Sequence, residues 1–289
     1  MTSRTVILKN DRLVVEISTH GAEMHSVKMG GAEYLWNGDE KYWGFHAPVM
    51  WPICGGLKDG KFTYKGASYE LGKHGYGRFC EFECESAQNE SAVFLLKSDE
   101  ESKKQFPFDY EFRITYTLKG SSIEVMYTVM NKTDGEMYFS VGAHEAYMCE
   151  NGINATRLDF ERSVTLESAR VDGNLLNGKT VPVLNDESTL KLSDKLFEND
   201  ALIFRKIDIH TVKLTDSTTK KTVTVDYPGF DNLLVWTKPG APYVCIEPWC
   251  GEPDSTLSSG NIAEKSCIKR LEKGGVFTAH HTITLGKEE

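Results

Sequence analysis

The chain has 289 residues, 40% of them apolar and 26% charged, with a formal charge of −9. That is the balance of a soluble globular protein long enough for a substantial core. Lys and Arg form no long block, which argues against nucleic acid, whose phosphates demand clustered cations. No run approaches the roughly 18 apolar residues of a membrane span. The opening MTSRTVILKNDRLVVEIS shows no apolar signal core and no cleavage-like site. Seven cysteines are scattered without a CxxC pair, the expectation being reduced thiols in a cytoplasmic protein rather than a disulfide framework or zinc ribbon.

Alternation of apolar and polar residues dominates the chain from its start. RLVVEIS and SAVFLLKS are strand candidates, and Glu100 to Gln105 shows a short helical period. In the next stretch Phe112, Ile114, Tyr116 and Leu118 alternate with Glu111, Arg113, Thr115 and Thr117. After Lys119-Gly120-Ser121-Ser122 the period of two resumes at Ile123, Val125, Tyr127 and Val129, which predicts a β-hairpin with one buried face. HTVKLTD, KTVTVDY, NLLVWTK, PYVCIEP and FTAHHTITL read as further strands, with a second short helical stretch around Ile262 to Leu271. Turn-forming residues cluster between them. The expectation is one all-β domain over residues 1–289, built from many antiparallel strands in two large packed sheets.

Three short stretches place polar residues in unusual company. GKHGYGRF sets His74 and Arg78 among glycines that let the backbone approach a ligand. SVGAHEAY puts His144 just past a predicted strand. CIEPWCG holds Glu247 at the end of an apolar run beside Pro248 and Trp249. Asp200, in FENDALIF, is a weaker fourth candidate. Singly, each has an ordinary explanation: a hydrogen-bonded loop histidine, a solvated strand terminus, a turn residue. None of the spacings is a metal signature. His280 and His281 are neighbours on a strand and point to opposite faces, a structural pattern. In combination, two histidines, an arginine and two acids at strand ends stand among Trp43, Trp51, Tyr76, Tyr147 and Trp249. Aromatic faces with a polar rim suit a sugar, whose C–H faces are apolar and whose edges are hydroxyls.

These stretches carry a resemblance. GAEMHS, EYLW, PVMWPICGGLKD and HGYGR, then GAHEAY, NDALIF, LLVWTKPGAPYVCIEPWCG and the terminal LEKGGVFT, resemble the aldose 1-epimerase (galactose mutarotase) superfamily in its LacX-like branch. The resemblance implies a β-supersandwich with a broad groove on one sheet. It implies Glu247 as catalytic base, His144 as the acid, and His74 as the histidine that positions the sugar. Asp200 would hydrogen-bond sugar hydroxyls, Arg78 would clamp a hydroxyl or phosphate, and Trp249 would line the sugar site. No metal or cofactor is implied.

Two departures stand out. Members of the branch often carry arginine where this chain has Gly56, and proline where it has Glu145, a carboxylate expected to favour imidazolium at His144. The implied activity is interconversion of the α and β anomers of a free aldose of galactose or glucose type, since the only cations expected near the groove are Arg78 and Lys58. WPICG and HGYGR also resemble the glucose-6-phosphate 1-epimerase branch. A glycoside-active enzyme, with Asp200 or Glu145 as second carboxylate, and a non-catalytic sugar-binding module remain as alternatives. The expected partner is a small sugar, with neither nucleic acid nor membrane, and the chain a monomer or homodimer.

Overall fold

A computed structural model of the chain describes residues 3–288. Its largest element is a nine-stranded antiparallel sheet running in space from Leu175–Lys191 and Thr156–Asp172 through Thr211–Asp216, Lys221–Asp226, Val276–Lys287, Ser122–Asn131, Tyr110–Lys119 and Ser91–Lys97 to Glu83–Ala87. The expected hairpin forms its middle, with Lys119 opposite Ser122. Phe112, Ile114, Tyr116, Ile123, Val125 and Val129 are buried while their polar neighbours reach solvent, as the period of two requires. A four-stranded N-terminal sheet adds Leu13, Val15 and Ile17 to the same core.

The helix at Glu100–Gln105 forms because Asp99 caps it: its carboxylate accepts from the Ser102 N–H at 2.7 Å, and the Ser102 hydroxyl accepts from the Asp99 N–H at 2.8 Å. The helical stretch expected over Ile262 to Leu271 does not form. Only a 3₁₀ turn at Ile262–Glu264 and a strand at Lys269–Leu271 are present. Lys265 is drawn inward to the buried Asp254, and Cys267 takes a φ of 57°, so the backbone cannot continue as a helix. The long hairpin Thr156–Asp172/Leu175–Lys191 left no clear sequence signal. Four irregularities in its register interrupt the alternation that marks the other strands.

A five-stranded sheet positions the polar candidates. Its central strand, Tyr243–Cys250, pairs on one side with Asn232–Trp236 and on the other with Val141–Gly142 and Glu145–Met148. Buried along its whole length, it sends Val244, Ile246 and Cys250 into the main core. Tyr243, Cys245, Glu247 and Trp249 alternate onto the opposite face. Glu247 is therefore interior to a strand, not at its end as the apolar run suggested; the pairing continues through Pro248 to Cys250.

Glu145 sits opposite Ile246 and so turns toward the core side. There its Oε1 meets His281 Nε2 at 2.9 Å, with both side chains buried. This overturns the expectation that Glu145 acts on His144, and removes Glu145 as a second carboxylate for the site. His281→Leu, which strands Glu145 without its partner, is expected to cost about 3–5 kcal/mol in urea unfolding. Replacing both residues by leucine should cost less than the single change.

Candidate active site

The Gly-rich loop is held by close backbone approach. The Trp51 carbonyl accepts from the N–H groups of Tyr76 and Gly77 at 2.8 and 2.9 Å. Gly75 takes a φ of +67°, and a Cβ there would lie 2.2 Å from that same oxygen, so only glycine fits. The loop turns His74 inward, where its Nδ1 accepts from the Gly55 N–H at 3.1 Å. That bond leaves the proton on Nε2, making the neutral ring a donor there. Burial, then His144, holds the His74 pKa well below its ordinary value. Arg78 donates through Nη2 to the Lys73 carbonyl at 3.0 Å and lies over the rings of Phe79 and Phe45, at 4.8 and 5.3 Å.

His144 and Glu247 meet across the sheet. Gly142 faces Trp249 and Glu145 faces Ile246, a register that places His144 across from Glu247. His144 Nε2 stands 3.4 Å from Glu247 Oε2, with the Glu247 side chain 2% exposed. Trp43 stacks on the His144 imidazole at 4.9 Å, and His74 meets the rings of His144 and Trp249 edge-on at 5.7 and 5.4 Å.

Both members of the pair are driven toward their neutral forms. Burial lowers the His144 pKa to about 3, with Lys73 and Arg78 adding to the effect. Burial pushes the Glu247 carboxyl well above the usual range, against the opposing pull of Lys73, while Asp200 raises it further. Cys245, two residues before Glu247 on the same face, is a neutral thiol, its pKa raised by burial and by Glu247. Its sulfur lies with the ligand atoms of His144 and Glu247 within 4.8 Å of one another.

All six residues singled out in the sequence, His74, Arg78, His144, Asp200, Glu247 and Trp249, line one cleft of about 400 Å³. Asp200 arrives with a φ of 87°, its carboxylate accepting from the Ala201 N–H at 2.8 Å. Of the five aromatic residues expected around the site, only Trp43 and Trp249 are there. Trp51 and Tyr76 are core residues, the latter sharing a hydroxyl contact with Tyr110, and Tyr147 packs in the main core. Lys58 is not in the cleft: its ammonium donates to the Ser258 carbonyl, and the second cation there is Lys73. Phe45, Trp236 and Asn174 also escaped the sequence reading. Trp236 had a legible signal, since it alternates with Leu234 on NLLVW and both face the cleft. Asn174, at a hairpin tip, had none.

A strand-buried carboxylate faces an imidazole in a tryptophan-walled cleft with a polar rim, set on a large antiparallel β-fold. The family model for aldose 1-epimerase matches residues 4–284, and the chain belongs to that family. The chromosomally encoded protein LacX of Lactococcus lactis subsp. lactis is 32% identical over 275 residues, covering 90% of this chain and 92% of the relative. A galactose mutarotase related enzyme from Lactobacillus acidophilus superposes with a TM-score of 0.92 at 35% identity, over 98% of each chain. A galactose mutarotase-like protein from Lactobacillus casei superposes with a TM-score of 0.93 at 24% identity, over 98% of this chain and 100% of its own, which shows the shared fold.

The opposed pKa shifts have a consequence for pH. Above about 3, where His144 loses its proton, and below the raised Glu247 value, the pair holds a single proton. It gains a second only at lower pH and gives up the last as pH rises past Glu247. Any turnover that uses this single proton should therefore persist into mildly acidic solution and fall on the alkaline side. An acid limb near the ordinary imidazole value of about 6.5 would show that burial does not hold His144 neutral.

Proposed function

We propose that the chain interconverts the α and β anomers of a free aldose by general acid–base catalysis. The observation that carries this reading is the approach of His144 Nε2 to Glu247 Oε2 at 3.4 Å inside a buried cleft. Mutarotation needs a proton taken from the anomeric O1 hydroxyl and a proton given to the ring oxygen O5 as the C1–O5 bond breaks. Both oxygens are bonded to C1, so the acceptor and donor must stand close together, as these two do. Glu247 as carboxylate takes the O1 proton and His144 as imidazolium gives one to O5. The open aldehyde turns about C1–C2 and recloses by the reverse transfers.

The ion pair needed for this step carries the same single proton as the neutral pair favoured in the empty cleft, so it is reached by an internal shift. Lys73 makes the carboxylate less costly, and the sugar's O1 hydroxyl supplies it with a hydrogen bond. His74, through Nε2–H, and Asp200 hold ring hydroxyls, and Trp249 offers an apolar face. Glu247→Gln keeps the shape and removes the basicity. It is expected to slow exchange by about 10²–10⁴-fold, read by NMR on freshly dissolved α-anomer. Turnover within a few-fold of wild type would unseat Glu247 as the base.

A second reading, a hexose 6-phosphate substrate, is favoured by one observation: Lys73 and Arg78 both line the cleft. Two cations on one wall are the minimum for a phosphate dianion leaving water. Against it stand the −9 charge of the chain and the commitment of one Arg78 nitrogen to the Lys73 carbonyl. The proposal expects kcat/KM to be higher for free galactose or glucose than for glucose 6-phosphate and insensitive to salt. A preference for the phosphate ester that weakens as salt is added would transfer the assignment to the second reading.

A further inference from the structure

We propose that Asn174 is a specificity-determining residue for the sugar, its hairpin tip seated over the cleft because position 56 is glycine; this rests on the aldose reading above. Gly56 and Asn174 are fitted to each other. A Cβ on Gly56 would lie 2.7 Å from the Asn174 Cβ, closer than such atoms pack, and 3.1 Å from its carbonyl oxygen, a tight contact. A side chain at position 56 and the hairpin tip at its present place are therefore mutually exclusive.

The tip is docked rather than loose. The Leu176 N–H donates to the Asp254 carbonyl at 2.8 Å, and the Thr256 N–H donates back to the Leu176 carbonyl at 2.9 Å. Asp254 is itself fixed from three directions. Its N–H donates to the Gly56 carbonyl at 2.9 Å, its Oδ1 accepts from the buried Lys265 ammonium at 2.9 Å, and its Oδ2 accepts from the Lys58 N–H at 3.0 Å. Across the tip, Asn177 Nδ2 donates to Asp172 Oδ1 at 2.9 Å. The same Asp254 thus ties the Gly56 strap to the hairpin tip, and Asn174 lines the cleft from a fixed base.

Asn174 is exposed at the edge of the cleft and its amide makes no hydrogen bond among the described residues, so its donor and acceptor are open to solvent there. An uncharged donor–acceptor pair matches one sugar hydroxyl, or two vicinal ones, and reads their orientation. It has no charge for a phosphate. A residue in this role separates aldose epimers that differ at a single hydroxyl, because the wrong epimer leaves the amide or the hydroxyl without its partner.

The experiment compares wild type, Asn174→Ala and Gly56→Ala on glucose, galactose and mannose. Anomer exchange is followed by NMR, and binding by tryptophan fluorescence, since Trp43, Trp236 and Trp249 line the cleft. Asn174→Ala removes one hydrogen bond, worth about 3–10-fold for a neutral pair. It should lower kcat/KM by that factor for the best aldose, mainly through KM. It should leave the poorer aldoses nearly unchanged and melt with wild type. Gly56→Ala, by displacing the tip, should reproduce the same loss of discrimination. Wild-type turnover with Asn174→Ala altered equally for all sugars, or for none, overturns the Asn174 assignment and leaves the epimerase reading standing. Discrimination seen in binding without any turnover keeps Asn174 and sinks the catalytic reading. A wild type that neither binds nor exchanges any of the three overturns both.

Discussion

Glu247 is a carboxylate in the middle of a strand that is covered on both faces, so that its charge would be held out of water. Desolvation of that kind is met either by neutralisation or by a partner. Here the immediate partner is an imidazole 3.4 Å away that is itself desolvated. The cleft's remaining features answer to this demand. Lys73 lies near enough to bias both groups electrostatically and Arg78 to bias His144, while Asp200 opposes Lys73 at the carboxyl. The Trp43 and Trp249 rings limit water without supplying charge. Both groups are thereby held toward their neutral forms, with a single proton between them.

Much of the fold was legible because one rule governs it. Strands with one wet face alternate, and Phe112 to Leu118 or Ile123 to Val129 declare their sidedness residue by residue. Strands buried on both faces do not alternate, and there the reading of PYVCIEPWC ended too early, taking Glu247 for a terminus. The long hairpin was missed for a different reason. Its register irregularities break the period, so neither strand has the run of matching positions that a pattern needs.

The site was legible as a set of residues but not as an arrangement. His74, His144 and Glu247 stood out together, since each alone has an ordinary structural explanation and only their combination among aromatic residues points to a site. Which neighbour faces which way was another matter. The ladder breaks at Ala143 and His144, and only the register to the central strand shows that His144 faces the cleft while Glu145 faces away. Lys73 was overshadowed by Lys58, which carries the same charge in a motif with a stronger signature. Asn174 depends on a contact with a residue 118 positions away in the chain, and no local pattern reports such a contact.

The two histidine–carboxylate contacts lie back to back across one sheet, Glu247 with His144 on one face and Glu145 with His281 on the other. This arrangement bears on how faithfully the chain folds. A strand that slipped by one residue would exchange its faces. Glu247 would then turn toward the side already holding Glu145, leaving two carboxylates to one histidine in a dry interior, with Ile246 facing the cleft. The second carboxyl would then be buried without a hydrogen-bond partner, a costly state even when neutral. A mispaired central strand is therefore penalised by an unpartnered buried polar group as well as by packing, and the polar groups of the cleft also help the sheet find its register.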